Sequence, residues 1–549
     1  MMNRIFKVIF NRGRGTYVVT GENARARGKT KSIATITALA MAGTLLAGPV
    51  MAEGIIITPE NPQATVDASI TEVEAAPVAF SNTNSTTSWN PTANVSIKTT
   101  VDGDVKGYVL GISTYADKSG TASTTITSEN DITVTATRTN NVSMEDVAGI
   151  ESRDNDGTGH ASTTITAKSL KVTVSGENGQ NYGLYTHTPE EADSANSTIS
   201  IRATGEAGVN VQVSSNNAEG ESAIGINGAS GNVKLTTDTG SVTIDAKNPS
   251  NNMGIGILNA EGKIEIDSAK DITIAGNAYG IHQYMHDTND SLVSLTAKGT
   301  NTVSNDKGGA LSFYLGGGKI DLTGKENVLK GNSGTGFYGI LMHTLNSTDQ
   351  AVASMVATDG DNIIQDEMLG INIDQTSGKA DVDMKAEKGA NTITATNTGI
   401  YVRVSGAEAS SQVNLDSAEG NTISGGNYGI LAWPSNGAKS TVTLKSEKNN
   451  EVSAGAYYAI YAGQNASVSL ESNTGDNKIH SDNYSAALVA PGGKLSLKTA
   501  SGKNIVENSS SSINGGGIYN QGEVSLSGNT QFNGNSSKAL GGAIYQDAP

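Results

Sequence analysis

Eight asparagines recur at one register in the second half of this 549-residue chain. Asn301, Asn327, Asn362, Asn391, Asn421, Asn450, Asn477 and Asn504 each stand two residues before an apolar residue: Val303, Leu329, Ile364, Ile393, Ile423, Val452, Ile479 and Val506. The steps between them are 26, 35, 29, 30, 29, 27 and 27 residues. One residue type at one register with a period near 30 means a structural unit repeated many times, not a globular domain built around one active site. Asparagine suits a tight turn, where it tolerates positive φ. Stacked at strand spacing, its amides can also bond from one repeat to the next.

A second column runs in step with the first. It reads Tyr279-Gly280-Ile281, Tyr338-Gly339-Ile340, Leu369-Gly370-Ile371, Thr398-Gly399-Ile400, Tyr428-Gly429-Ile430, Tyr458-Ala459-Ile460, Gly516-Gly517-Ile518 and Gly542-Ala543-Ile544. Looser copies end at Ile112, Ile150, Leu184, Ile226 and Ile257, and two coils near Ser312 and Leu488 keep the spacing without the motif. The spacing is 34 to 42 residues before Ile226 and mostly 24 to 31 after it.

Within one repeat, Thr441-Val442-Thr443-Leu444 alternates polar and apolar, the pattern of a half-buried strand. Val452 marks a second short strand and Tyr458 to Tyr461 a third, with turns at Glu447-Asn450, Gly455 and Gly463-Asn465. No amphipathic helical stretch separates them, and the turns are too short for the crossovers of an ordinary α/β sheet. The prediction is an all-β parallel β-helix, or solenoid, with about three short strands per coil and about fifteen coils. Its inward Val, Ile and Leu stack into a core that no coil buries alone. At ~4.8 Å per rung such a rod is about 70 Å long. Sixty-five glycines suit the many turns, and the absence of cysteine leaves the stacked core as the source of stability.

The first 52 residues read as an address. Eight basic residues from Arg4 to Lys31 precede an apolar run, Ile33 to Leu46, and small residues at Val50-x-Ala52 offer cleavage after Ala52. The apolar run is short for a membrane span. Cleavage leaves 29 basic against 53 acidic residues, a formal charge of −24. That surface excludes nucleic acid as a partner. Residues 53–91, rich in Pro, Ser, Thr and Asn, are expected as a partly disordered lead-in. Residues 92–225 then read as irregular solenoid and 226–549 as regular solenoid.

Two stretches carry a family resemblance. The run from Met2 to Asn11, with Tyr17-Val18-Val19, resembles the extended signal-peptide region of type V secreted proteins, the autotransporters and related adhesins. Near the other end, Gly515-Gly516-Gly517-Ile518-Tyr519, Phe532-Asn533-Gly534-Asn535 and Gly541-Gly542-Ala543-Ile544-Tyr545 resemble the repeats of chlamydial polymorphic outer-membrane proteins and other autotransporter passengers. The resemblance implies a right-handed β-helix exported through a C-terminal β-barrel and displayed at the cell surface or outer membrane. No barrel-like segments follow Asp547, so the expectation is either a passenger truncated before its translocator or one whose export and anchoring rely on something else.

Residues that could carry chemistry fall mostly into turns. Gly331-Asn332-Ser333-Gly334-Thr335 has the outline of a protease nucleophile turn but occupies the turn before Tyr338-Gly339-Ile340. His282 and His286 have helical zinc spacing on a predicted strand. Asp154-Asn155-Asp156-Gly157 lacks the alternating ligands and distal Glu of a calcium loop. Asp374 and Arg403, in one register of neighbouring coils, fit a cross-rung ion pair better than a carboxylate catalyst. No metal or cofactor is expected, and no catalytic role is assigned. The remaining pattern is an outward row on the third strand: Tyr185, His187, His282, Tyr284, Leu341, His343, Tyr401, Arg403, Leu431, Trp433 and Tyr461. Such a stripe is either covered by the loops that follow it or is a contact surface for a host or bacterial surface protein, a glycan or another copy of the rod. The expectation is a non-enzymatic adhesin or stalk. A polysaccharide-cleaving β-helix and a self-association factor are the alternatives.

Overall fold

The alternating Val-x-Leu segments form strands, and each finds its partner one coil away. In the computed structural model Val442 lies in step with Val468, and Leu444 with Leu470. Val452 pairs with Ile479 on the second strand of the coil, and Ile430 with Ile460 on the third. The pairings are parallel because three short strands and three turns bring the chain back to its starting direction. The described residues are 6–11, 16–21 and 54–547. Within the last span, 62–64, 76, 104–106, 140–145, 178, 190–195, 217–222, 229, 251–252, 287–290, 332–335, 344–349 and 513 are excepted. Among them there is no α-helix, and none is long and apolar enough to cross a membrane.

The chain divides into two units, Met1–Ala52 and Glu53–Pro549. The first contains an antiparallel hairpin, Phe6–Asn11 with Thr16–Gly21. Its apolar run and the cleavage position lie outside the described residues. The second unit is the parallel β-solenoid. Its inward Ile, Val and Leu form one continuous apolar cluster from Ile57 to Ile518.

Residues 53–91 correct the sequence reading. Ile55–Ile57 pairs with Val78–Thr83, which pairs with Val109–Ala116, so these strands add two rungs before the coil of Ile112. Glu72–Ala75 and Thr86–Trp89 extend the other two faces in the same way. The Pro, Ser and Thr content hid this because those residues fill turns and outward positions. Ile57, Val73, Phe80 and Trp89 fill the inside, with the Phe80 and Trp89 rings stacked at 6.1 Å. The ladder is also unbroken at 225/226, since Ala223–Gly228 pairs with both Asn181–His187 and Gly254–Asn259.

The glycine of the Tyr-Gly-Ile motif has a steric cause. A Cβ on Gly370 would lie 2.3 Å from Ile393 Cγ2 and 2.6 Å from the Gly399 carbonyl oxygen. Gly183, Gly225, Gly256, Gly280, Gly339, Gly399 and Gly429 each face a β-branched side chain of the second strand just as closely. The third strand passes so near the core that an inward side chain has no room there, and the next residue, Ile, fills the space.

The asparagines also line up. Asn301 Nδ2 donates to Asn327 Oδ1 at 2.8 Å, and the chain of amides continues through Asn362, Asn391, Asn421, Asn450 and Asn477 to Asn504 at 2.8–2.9 Å per step. All eight are buried. Their second amide hydrogen reaches corner carbonyls, for example Asn421 to Lys445 O at 2.7 Å and Asn477 to Lys498 O at 2.7 Å. Positive φ plays no part: the asparagines with that backbone are Asn84, Asn436, Asn465 and Asn508, outside the ladder.

Candidate binding face

On the third strand the motif isoleucines point inward, with Ile281, Ile340, Ile400 and Ile430 fully buried. The first and third residues after each therefore face outward. The resulting two columns are not one uniform stripe. They change character along the solenoid.

In the early coils the row is enclosed. Glu151 is 3% exposed; it accepts a bond from Ser113 Oγ at 3.1 Å and lies 3.8 Å from Arg153 Nη1. Burial raises the Glu151 pKa, and the Arg153 charge opposes that. Arg153 also sits over the Tyr108 ring, 5.7 Å from its centroid. Tyr185 stacks on Tyr182 at 4.5 Å and neighbours His187 at 6.1 Å. Burial, assisted by Arg153, pulls the His187 pKa down to about 4, while burial raises that of the Tyr185 phenol.

In the middle coils the rings cover one another. His282 is 8% exposed, between Tyr279 at 4.3 Å and Tyr284 at 5.4 Å. Burial lowers its pKa to about 4, so it is neutral at physiological pH. This corrects its place on an outward contact row. His282 and His286 stand on a strand, not on the helix that their spacing would need, and the His286 side chain lies outside the described residues. Tyr284, Tyr314 and His343 stand on successive coils, with ring centroids 5.8 Å and 5.4 Å apart and planes within 3° and 15°. Tyr314 was invisible to motif reading because its coil reads Gly309-Ala310-Leu311. Counting three residues on from the inward Leu311 would have found it. Leu341, on the same coil as His343, is half-buried.

In the later coils the row opens. Asp374 and Arg403 are in step, and Arg403 Nε donates to Asp374 Oδ1 at 2.9 Å, with Nη2 bonded to Oδ2. This is the expected ion pair, on the surface. Trp433 follows Arg403 and is 55% exposed. Tyr461 lies 6.4 Å from it, tilted by 55°. Tyr458 is 6.2 Å from Tyr461, 5.3 Å from Tyr484 and 6.4 Å from Tyr428. Tyr457, 41% exposed, stacks on Tyr428 at 5.1 Å. Burial raises the pKa values of Tyr401, Tyr428, Tyr458 and Tyr461, and all four are half-buried, as is Leu431. Tyr457 and Tyr484 escaped sequence reading because they sit in the turns before the third strand, not on it.

The other candidates are absorbed by the backbone. Asp156 Oδ1 accepts from Thr158 N–H at 3.2 Å and Oγ1 at 2.9 Å, and Asp154 Oδ1 from Gly159 N–H at 3.3 Å, as turn residues do. Of the nucleophile-like turn, residues 332–335 lie outside the described residues. Among the described residues no three of His, Cys, Asp and Glu are placed to hold a metal. One buried carboxyl was missed entirely. Glu367 is fully buried, accepts from Asn305 Nδ2 at 2.8 Å, and has no partner for its second oxygen among the described residues. Burial pushes its pKa up to about 8, so it holds a proton at neutral pH. It reaches across the coil of Gly331, where a Cβ would stand 3.0 Å from that second oxygen.

Comparison with known proteins agrees at both ends of the chain. Residues 2–50 match the family of the extended signal peptide of the type V secretion system. Residues 529–547 match the Chlamydia polymorphic membrane protein repeat. No curated protein and no solved structure matches the chain. An extended type V signal peptide on a parallel β-solenoid defines an autotransporter passenger-like protein, exported to the cell surface or outer membrane.

Proposed function

We propose that this chain is an adhesin, a non-enzymatic surface rod that holds a partner on another surface through the open part of its third-strand face. The observation that carries this reading is the aromatic cluster around Trp433, Tyr457 and Tyr461, which projects from a coat otherwise rich in Ser, Thr and acidic residues. Large aromatic groups held in solvent by a rigid sheet bind at low entropic cost, because the strand already fixes them. A face repeated coil after coil supports several weak contacts at once, and display of many rods on one cell multiplies them.

The test is attachment. Cells displaying the protein with Tyr401, Leu431, Trp433 and Tyr461 all changed to Ser are expected to lose most of their adherence to host cells, with display level and β-sheet circular dichroism unchanged. Undiminished attachment removes the reading. Side-by-side dimers of the purified rod, lost in the same variant, would transfer the face to self-association.

A further inference from the structure

We propose that the ledge at Trp433 is a subsite for a neutral saccharide, with the indole as the platform and the Arg403–Asp374 pair as the hydroxyl-binding rim. This rests on the adhesin reading and names the ligand class of that face. The outward column runs Tyr284, Tyr314, His343, Asp374, Arg403, Trp433. Trp433 N–H donates to Val402 O, Gly463 N–H to Ala432 O and Ala490 N–H to Ala462 O, so Gly463 and Ala490 continue the column beyond Trp433. The bulk therefore stops abruptly. A Cβ on Gly463 would stand 3.0 Å from the Ala432 carbonyl oxygen and 3.4 Å from both the Trp433 Cα and Tyr461 Cε1, so a side chain is missing between the Trp433 backbone and the Tyr461 ring.

The aromatic groups of this face differ in what they can offer. The rings of Tyr284, Tyr314 and His343 are stacked nearly parallel, so their faces are used on one another. Trp433 and Tyr461 are tilted by 55°, and among the described residues no ring lies flat on the indole. An uncovered indole face accepts the C–H face of a pyranose, which is apolar on one side and carries hydroxyls around its edge. The rim then needs groups that bond hydroxyls in a plane. Asp374 engages Arg403 through Nε and Nη2, and among the described residues no group takes the Nη1 hydrogens of Arg403, whose side chain is 56% exposed. The Tyr461 phenol, on a ring 6.4 Å from the indole, adds a donor and an acceptor.

Charge selects among saccharides. The exported chain carries −24, and Arg403 is already neutralised by Asp374, so uronate-rich or sulfated polymers meet net repulsion. A protein partner is the weaker fit. A stable protein interface covers about 800 Å² per side around a well-packed centre, whereas here one exposed indole is followed in its column by Gly463 and Ala490.

The molecule supplies its own reporter. Of its two tryptophans, Trp89 is sealed in the core and Trp433 is open. The exported chain would be titrated with soluble neutral polysaccharides (dextran, yeast mannan, galactomannan) and with hyaluronate and heparin, reading tryptophan emission and retardation in polysaccharide-containing gels. At least one neutral polymer is expected to bind and shift the emission. Trp433→Ala is expected to weaken gel retardation at least tenfold, Trp433→Phe only two- to fivefold, and Arg403→Ala three- to tenfold, with unchanged circular dichroism. Binding of heparin or hyaluronate alone overturns the proposal, as does binding that Trp433→Ala leaves intact, or no binding to any of the five. If cells carrying Trp433→Ala lose attachment while no polysaccharide binds, the saccharide assignment falls and the adhesin reading stands. If polysaccharide binds while the four-serine variant still attaches normally, the adhesin reading falls and the saccharide site stands.

Discussion

One position of the second strand is apolar in the early coils and asparagine in the later ones. Ile132, Leu170, Val209, Val242 and Ile272 stack in register, and the next member of that column is Asn301, the first of the amide ladder. Both halves bury this position completely. Burying an isoleucine is worth about 2–3 kcal/mol, and an intramolecular hydrogen bond about 1 kcal/mol net. The ladder is therefore not the more stabilising choice by contact energy. Its value lies in specificity, since an amide out of register becomes a buried orphan, whereas an apolar residue out of register finds another apolar neighbour. The junction shows that cost. Asn301 Oδ1, on the side of the Ile272 coil, is buried and has no partner among the described residues. The same contrast appears on the outer face, where the early row is closed over Glu151 and Arg153 and the later row opens at Trp433.

The change expected to break the later half most completely is Gly370→Val. The new side chain would be driven into Ile393 and the Gly399 carbonyl, and a loss of about 4 kcal/mol is expected from overpacking against backbone. Chemical unfolding of the exported chain, followed by circular dichroism, measures it; a loss under about 1 kcal/mol would mean the third strand can move away from the core.

Next in size is the ladder. Asn421→Leu strands Lys445 O and Asn450 Oδ1 without their donor, and a loss of roughly 2–4 kcal/mol is expected. The comparison sharpens with Asn introduced on the other side of the junction. Ile272→Asn gives Asn301 Oδ1 a donor, so it is expected to cost at least about 1 kcal/mol less than Val209→Asn, whose amide meets only Leu170 and Val242. Equal costs would show that the ladder is not read coil by coil.

The smallest effect is pH-dependent. Glu367 keeps its proton in the folded chain up to about pH 8, whereas an ordinary glutamate loses it near 4.5. Between those values the folded state binds the extra proton, so this residue's contribution falls as pH rises through the window and levels off above it. Glu367→Gln keeps an acceptor for Asn305 and removes the titration. It is expected to flatten the stability profile between pH 5 and 8, with a gain of roughly 1–3 kcal/mol at pH 8. A parallel profile for variant and parent would place the Glu367 carboxylate in contact with water.

The sequence alone determined the winding. A 24-to-42-residue beat, alternating Val-x-Leu segments and Asn at one register leave a polypeptide few ways to bury its apolar side chains, and all of them stack one coil on the next. The amide ladder was legible for the same reason, since equal register in a solenoid means adjacency in space. Adjacency to residues outside the motif was not legible. Whether Tyr185 is enclosed and Trp433 open depends on Glu151, Arg153, Gly463 and Tyr461, contributed by other coils. That Glu367 reaches Asn305 depends on Gly331, whose missing side chain leaves room for the carboxyl. Residues 54–89 fold into rungs because Phe80 and Trp89 find a core already laid down by the coils that follow. Periodicity fixes which neighbours a side chain meets along the axis; packing between coils fixes what water can still reach.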